Sequence, residues 1–112
     1  MIIRQAHFWG RVNLGQDAAF RAYVAERLLP LWLKFPMVRE VRVLYEVTRD
    51  DGADPLPLVL TMAFDDDAAL AIALASPERA ESRVVTQGLL AMFDGHIHHH
   101  ILHMAEPLHR PA

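Results

Sequence analysis

The stretch that most constrains the fold is Leu56–Phe64. As a strand it puts Leu58, Leu60, Met62 and Phe64 on one side and Val59, Thr61 and Ala63 on the other. Both sides are mostly apolar, so any sheet holding it has to be covered on both faces. A chain of 112 residues has length for one core. The expected domain therefore spans residues 1–105, with an extended arm over 106–112.

A second stretch sharpens the problem. Gly95–Met104 carries five of the seven histidines. In an extended chain His96, His98, His100, Leu102 and Met104 share one face, and Ile97, His99, Ile101 and His103 the other. Neither face is purely apolar, so this is no ordinary core strand.

The remaining elements follow from periodicity and end signals. Ile2–Trp9 has strand propensity, with Ile3, Gln5, His7 and Trp9 on one face. Asp17 is placed to cap a helix in which Phe20, Val24, Leu28 and Leu31 recur at helical spacing, and Pro30 is expected to end or kink it near Arg27–Leu29. Leu31–Pro36 then reads as an apolar connector. Met37–Thr48 alternates cleanly, Val41, Val43, Tyr45 and Val47 against Glu40, Arg42, Leu44 and Glu46, and an acidic loop over 49–55 joins it to the third strand. Asp65-Asp66-Asp67 supplies caps for an alanine-rich helix to about Ala75. Ser76-Pro77 restarts it as a second segment to about Phe93, with Ala80, Val84, Gly88 and Met92 as its stripe.

The order is strand, helix, strand, strand, helix, strand. That is the split βαβ, or ferredoxin-like, α+β arrangement, with sheet order 4-1-3-2. Its helices cover one face of a four-stranded antiparallel sheet. A second copy of the chain is the simplest cover for the other, giving a homodimer with its sheets face to face, a dimeric α/β barrel.

Composition excludes several function classes. The chain has no cysteine, hence no disulfide, thiolate metal site or cysteine nucleophile. Its formal charge is −3 and its one lysine is Lys34, which argues against a nucleic-acid or anionic-membrane surface. Protonating seven histidines would reverse that charge, so association or stability is expected to depend on pH near 6. The start, Met1-Ile2-Ile3-Arg4, lacks the pattern of a signal peptide, and no apolar run approaches the ~18 residues of a membrane span. A cytoplasmic location is the expectation. No phosphate loop, nucleophile elbow or zinc-protease helix is present.

Two chemical readings remain, each beside a plainer one. His96, His98 and His100, with His7 from the first strand, could converge on a metal ion; they could equally line an interface and bond one another and water. Alternatively, His7 with His96, His98 or His99, plus Tyr45, could polarise a carbonyl and move a proton in an apolar pocket lined by Trp9, Trp32, Phe64 and Met92. Each of those four could equally be a core or interface residue. The expected site has His7 and His98 as the acid/base pair and Tyr45 orienting substrate. Trp9, Trp32, Phe64, Met92, His96 and His100 form the pocket, and no metal or other cofactor is called for.

Three passages resemble EthD-like proteins of the dimeric α/β-barrel superfamily: Phe20-Arg21-Ala22-Tyr23, Leu33–Val41, and Met62-Ala63-Phe64-Asp65 through Ala75-Ser76-Pro77-Glu78. Such sequences often carry a glycine after the proline where this chain has Met37. The resemblance implies a soluble homodimer with an apolar pocket, associated with degradation of organic compounds. Its relatives include cofactor-free monooxygenases, lactone isomerases, polyketide cyclases and heme enzymes, so the fold fixes no chemistry. The expected function is binding of a small apolar or aromatic compound, with cofactor-independent oxygenase, isomerase or cyclase activity as the enzymatic form. The alternatives are a non-enzymatic ligand-binding or structural dimer and a histidine-ligated metal protein.

Overall fold

A computed structural model describes residues 1–106 and 111. The expected arm over 106–112 therefore falls largely outside the described residues. Strand β1 (Ile2–Val12) leads to helix α1 (Asp17–Tyr23), a π-helical turn over Val24–Leu28 and a last turn α2 (Leu29–Trp32). Then come β2 (Glu40–Tyr45), β3 (Leu58–Phe64), α3 (Asp67–Leu74), α4 (Pro77–Leu90) and β4 (Phe93–His103). The sheet is antiparallel with order β2-β3-β1-β4, the ferredoxin-like α+β topology.

The helix starts show why each element begins where it does. Asp66 accepts the Ala69 N–H at 2.8 Å and Ser76 accepts that of Arg79 at 3.2 Å, each satisfying an orphan donor of a first turn. Asp17 does not cap α1 as expected. Gln16 holds the cap position without a side-chain bond, and Asp17 places its charge in the first turn, where the helix dipole favours it.

Pro30 also behaves differently from expectation. It lacks the N–H that would bond Glu26, and its ring crowds that carbonyl. The chain absorbs both by widening into a π turn, with the Leu29 N–H on the Val24 carbonyl, and runs on helically to Trp32. Leu28, Leu31 and Trp32 thereby stay buried.

One core fills the space between sheet and helices. Ala6 and Phe8 of β1 and Leu58, Leu60, Met62 and Phe64 of β3 meet Phe20, Val24, Leu28, Trp32 and Phe35 below and Leu70, Ala73 and Leu89 beside them. Val41, Val43 and Tyr45 pack against its margin, whereas Val47 is 97% exposed because β2 ends at Tyr45.

The opposite face of the sheet has no helix on it. Register puts Ile3, Gln5, His7 and Trp9 there beside Leu102, His100, His98 and His96, with Ala63, Thr61 and Val59 on the other flank. Leu44 extends this face onto β2 at 50% exposure. The two-sided apolar character of Leu58–Phe64 is thus answered on one side by this chain's helices and on the other by nothing among the described residues.

Candidate functional site

The sheet divides the expected site residues between its two faces. On the open face His7 stands directly opposite His98 across the β1–β4 ladder, with Gln5 opposite His100 and Trp9 opposite His96. The His7 and His100 rings lie 4.9 Å apart and those of His96 and His98 4.5 Å apart, while Trp9 meets His7 edge-on at 6.0 Å. His7 Nε2 is 2.9 Å from Gln5 Oε1, a bond it makes as donor in the Nε2–H tautomer. Partial burial, then His100 and His98, hold its pKa below the ordinary imidazole value. Asp54 and Pro55 of the β2–β3 loop flank Trp9, His96 and His98 in a shallow groove. Among the described residues no group of three histidines or carboxylates is arranged to hold a metal ion.

Four of the expected residues are elsewhere. Tyr45 alternates onto the helix-covered face, where the Arg21 guanidinium lies 4.5 Å over its ring, so it cannot orient a substrate held between His7 and His98. Phe64 is fully buried in the core and Met92 packs against that core, so neither reaches the open face. Trp32 is buried too, but one side of it lines a cavity. The pocket expected from Trp9, Trp32, Phe64 and Met92 together does not exist, because period-two alternation places Trp9 on the far side of the sheet.

The cavity at Trp32 lies between α4 and the β1–β4 part of the sheet and measures about 370 Å³. Its floor is apolar: Ala6, Phe8, Phe35, Met62 and Ile97 with Trp32. Its roof is α4, which turns Arg79, Ser82, Arg83, Thr86, Gln87 and Leu90 inward, positions related by three, four, seven, eight and eleven residues and so on one helical face. Arg4 and His99 complete the wall. The hydroxyls of Ser82 and Thr86 are committed to helix carbonyls, Arg79 O at 2.9 Å and Ser82 O at 2.6 Å.

Charge in this cavity is one-sided. Arg4 is 8% exposed and has no ion-pair or hydrogen-bond partner among the described residues, and no carboxylate lines the wall. Burial, then Arg79, pulls its pKa down to about 10. His99, an exposed residue at the rim of the cavity, is pushed down to about 4 by partial burial and then by Arg4, Arg79, Arg83 and His100. At neutral pH it is a neutral imidazole beside three guanidinium groups.

Arg4, Arg79, Arg83, Ser82, Thr86 and Gln87 were not among the expected site residues. The signal for Arg4 was a lone cation in the apolar Ile2, Arg4, Ala6, Phe8 row of β1. Of the expected stripe on α4, Ala80 and Val84 face outward, Val84 being 72% exposed, whereas Gly88 packs against Tyr23 and Met92 lies against the core. The inward face is polar because it borders a cavity, and a rule that seeks apolar stripes passes over it.

This architecture, a four-stranded antiparallel sheet with helices on one side and an open opposite face, defines a ferredoxin-like α+β protein. Solved structures of low sequence identity share this fold. An EthD-family protein from Bacillus halodurans superposes with a TM-score of 0.75 at 19% identity, over 94% of this chain and all of that one. SnoaB, a cofactor-independent oxygenase from Streptomyces nogalater, gives 0.63 at 19% identity over 96% and 95% of the two chains. A dimeric protein of unknown function with a ferredoxin-like fold from Bacteroides fragilis gives 0.65 at 15% identity over 92% and 95%. No family model and no curated protein matches the sequence.

Proposed function

We propose that the chain binds a small apolar or aromatic molecule in the cavity under α4 and, as an enzyme, moves a proton on it without a cofactor. The observation that carries this reading is the cavity itself, an apolar floor facing a polar helix face with a neutral imidazole at its rim. Such a pairing fixes an apolar body by burial and its polar end by direction. His99 accepts or returns a proton at the ligand's polar end, and the nearby guanidinium groups stabilise negative charge that develops there, as in oxygenase, isomerase or cyclase steps through an enolate. The kinship of fold with an EthD-family protein and with a cofactor-independent oxygenase supports this class of chemistry.

A homodimer is part of the same reading. Two open faces, each with Val59, Leu44, Leu102 and the histidine rows, would cover one another, and a neighbour of this fold is described as dimeric. A second reading keeps the chemistry on the open face, with His7 and His98 as the acid/base pair. It is favoured by their direct cross-strand pairing and by the groove at Trp9.

The two tryptophans separate these readings, since Trp32 lines the cavity and Trp9 the open face. A screen of apolar and aromatic compounds by proton–nitrogen NMR, following the two indole N–H signals, is expected to yield ligands that move Trp32. Ligands that move Trp9 alone would transfer the site to the histidine face.

A further inference from the structure

We propose that the molecule held under α4 carries an anionic oxygen group, in its simplest form an aromatic carboxylate, with Arg4 as the buried anchor and Arg79 and Arg83 at the mouth. The proposal rests on the cavity being the ligand site and adds the charge of what enters it. Arg4 is 8% exposed as a residue, lines the cavity and has no ion-pair or hydrogen-bond partner among the described residues, a costly arrangement because partial burial thins the hydration of its charge and no protein group replaces it. The chain has acids to spare, yet the ion pairs among the described residues, Arg39–Asp65, Arg42–Glu40 and Arg49–Glu46, all lie away from the cavity. Two more arginines, on successive turns of α4, line the same wall.

The floor narrows the anion further. The side chains of Ala6, Phe8, Phe35, Met62 and Ile97 offer a bare inorganic ion no hydrogen bonds, whereas a planar ring would bury against them and Trp32 while its carboxylate met the flat donor fork of Arg4. An apolar acid therefore uses both halves of the cavity. A neutral analogue uses one.

The test compares naphthoate, naphthamide and inorganic phosphate by NMR titration, read at the Trp32 and Trp9 indole signals. Naphthoate is expected to shift Trp32, leave Trp9 in place and bind about tenfold or more tightly than naphthamide, the difference a charge-assisted pair supplies. Arg4→Gln should bring acid and amide to similar affinity. Should that variant fold poorly, the exposed Arg83→Gln is expected to weaken naphthoate about threefold and leave naphthamide unchanged. Equal binding of acid and amide at Trp32 would overturn the anion and leave the cavity as a ligand site. Phosphate binding as tightly as naphthoate would overturn the aromatic part. Failure of both ring compounds to move Trp32 at millimolar concentration would overturn the anion and the cavity together.

Discussion

Met37 stands at φ +67°, in the left-handed region that favours glycine, immediately after Pro36. A side chain there costs about 1–2 kcal/mol, partly offset because glycine is freer in the unfolded chain. Met37→Gly is thus expected to raise stability by about 0.5–1 kcal/mol and Met37→Val to lower it, both read as shifts in urea midpoint. His99 supplies a second residue-level prediction. Its folded value of about 4 lies below the ordinary 6.5, so between those limits the unfolded chain holds more protons. Its contribution to stability is complete above pH about 6.5 and drains away as the pH falls toward about 4. His7, depressed in the same direction, adds to that loss. The measurement is urea unfolding across this range: His99→Gln should flatten the slope, and an imidazole of His99 titrating near 6.5 by NMR would contradict the environment described. At this scale the sequence was informative about type and weak about setting. It marked the histidines as unusual, but the depression of His99 depends on burial and then on Arg4, Arg79 and Arg83, which sit 95, 20 and 16 residues away along the chain and meet it only through the fold.

Helix α4 shows how an element can be found and still be misread. Its start was legible, since Ser76 and Pro77 mark it chemically, and Gly88 does make the close approach expected of it, but the cavity-lining face was missed because residues lining a cavity need not be apolar. Its seating depends on Gly88. A Cβ there would fall on the Tyr23 hydroxyl, which donates to the Val85 carbonyl at 2.6 Å and ties α4 to α1. Gly88→Ala is accordingly expected to cost about 1–3 kcal/mol despite alanine's better helix propensity. Tyr23→Phe should cost about 0.5–1.5 kcal/mol, and the double variant less than the sum, because the methyl then meets no hydroxyl. Thermal unfolding of the three variants checks the cycle. The first helix teaches the complementary lesson. Proline chemistry says that the regular ladder fails at Pro30, and it does. That the failure takes the form of a π turn, rather than an end, is decided by the burial of Leu28, Leu31 and Trp32 beyond it.

For the whole molecule, strand order and antiparallel pairing were readable because alternation and element order leave few topologies. Which face held a cavity was not, since that depends on how far α4 stands from the sheet. The proposed dimer makes its own prediction. Leu44→Glu sets an unpaired charge on the open face, at its β2 side, and should shift the species seen by light scattering at micromolar concentration from dimer to monomer, with the far-ultraviolet dichroism unchanged. A monomer in the unaltered protein would remove the dimer from the reading. Strand β4 carries a further consequence. It is eleven residues long and lies at the sheet's margin, so one side of its backbone offers N–H and C=O groups to any extended chain that passes. Natural sheets commonly guard such a margin with lysine, proline or a bulge, but this strand has none of the three and carries Asp94 and a file of histidines instead. The margin is therefore open to strand-on-strand growth. Concentrated protein would add strands along it, and Ile101→Lys, at a position 49% exposed, is expected to keep it dispersed.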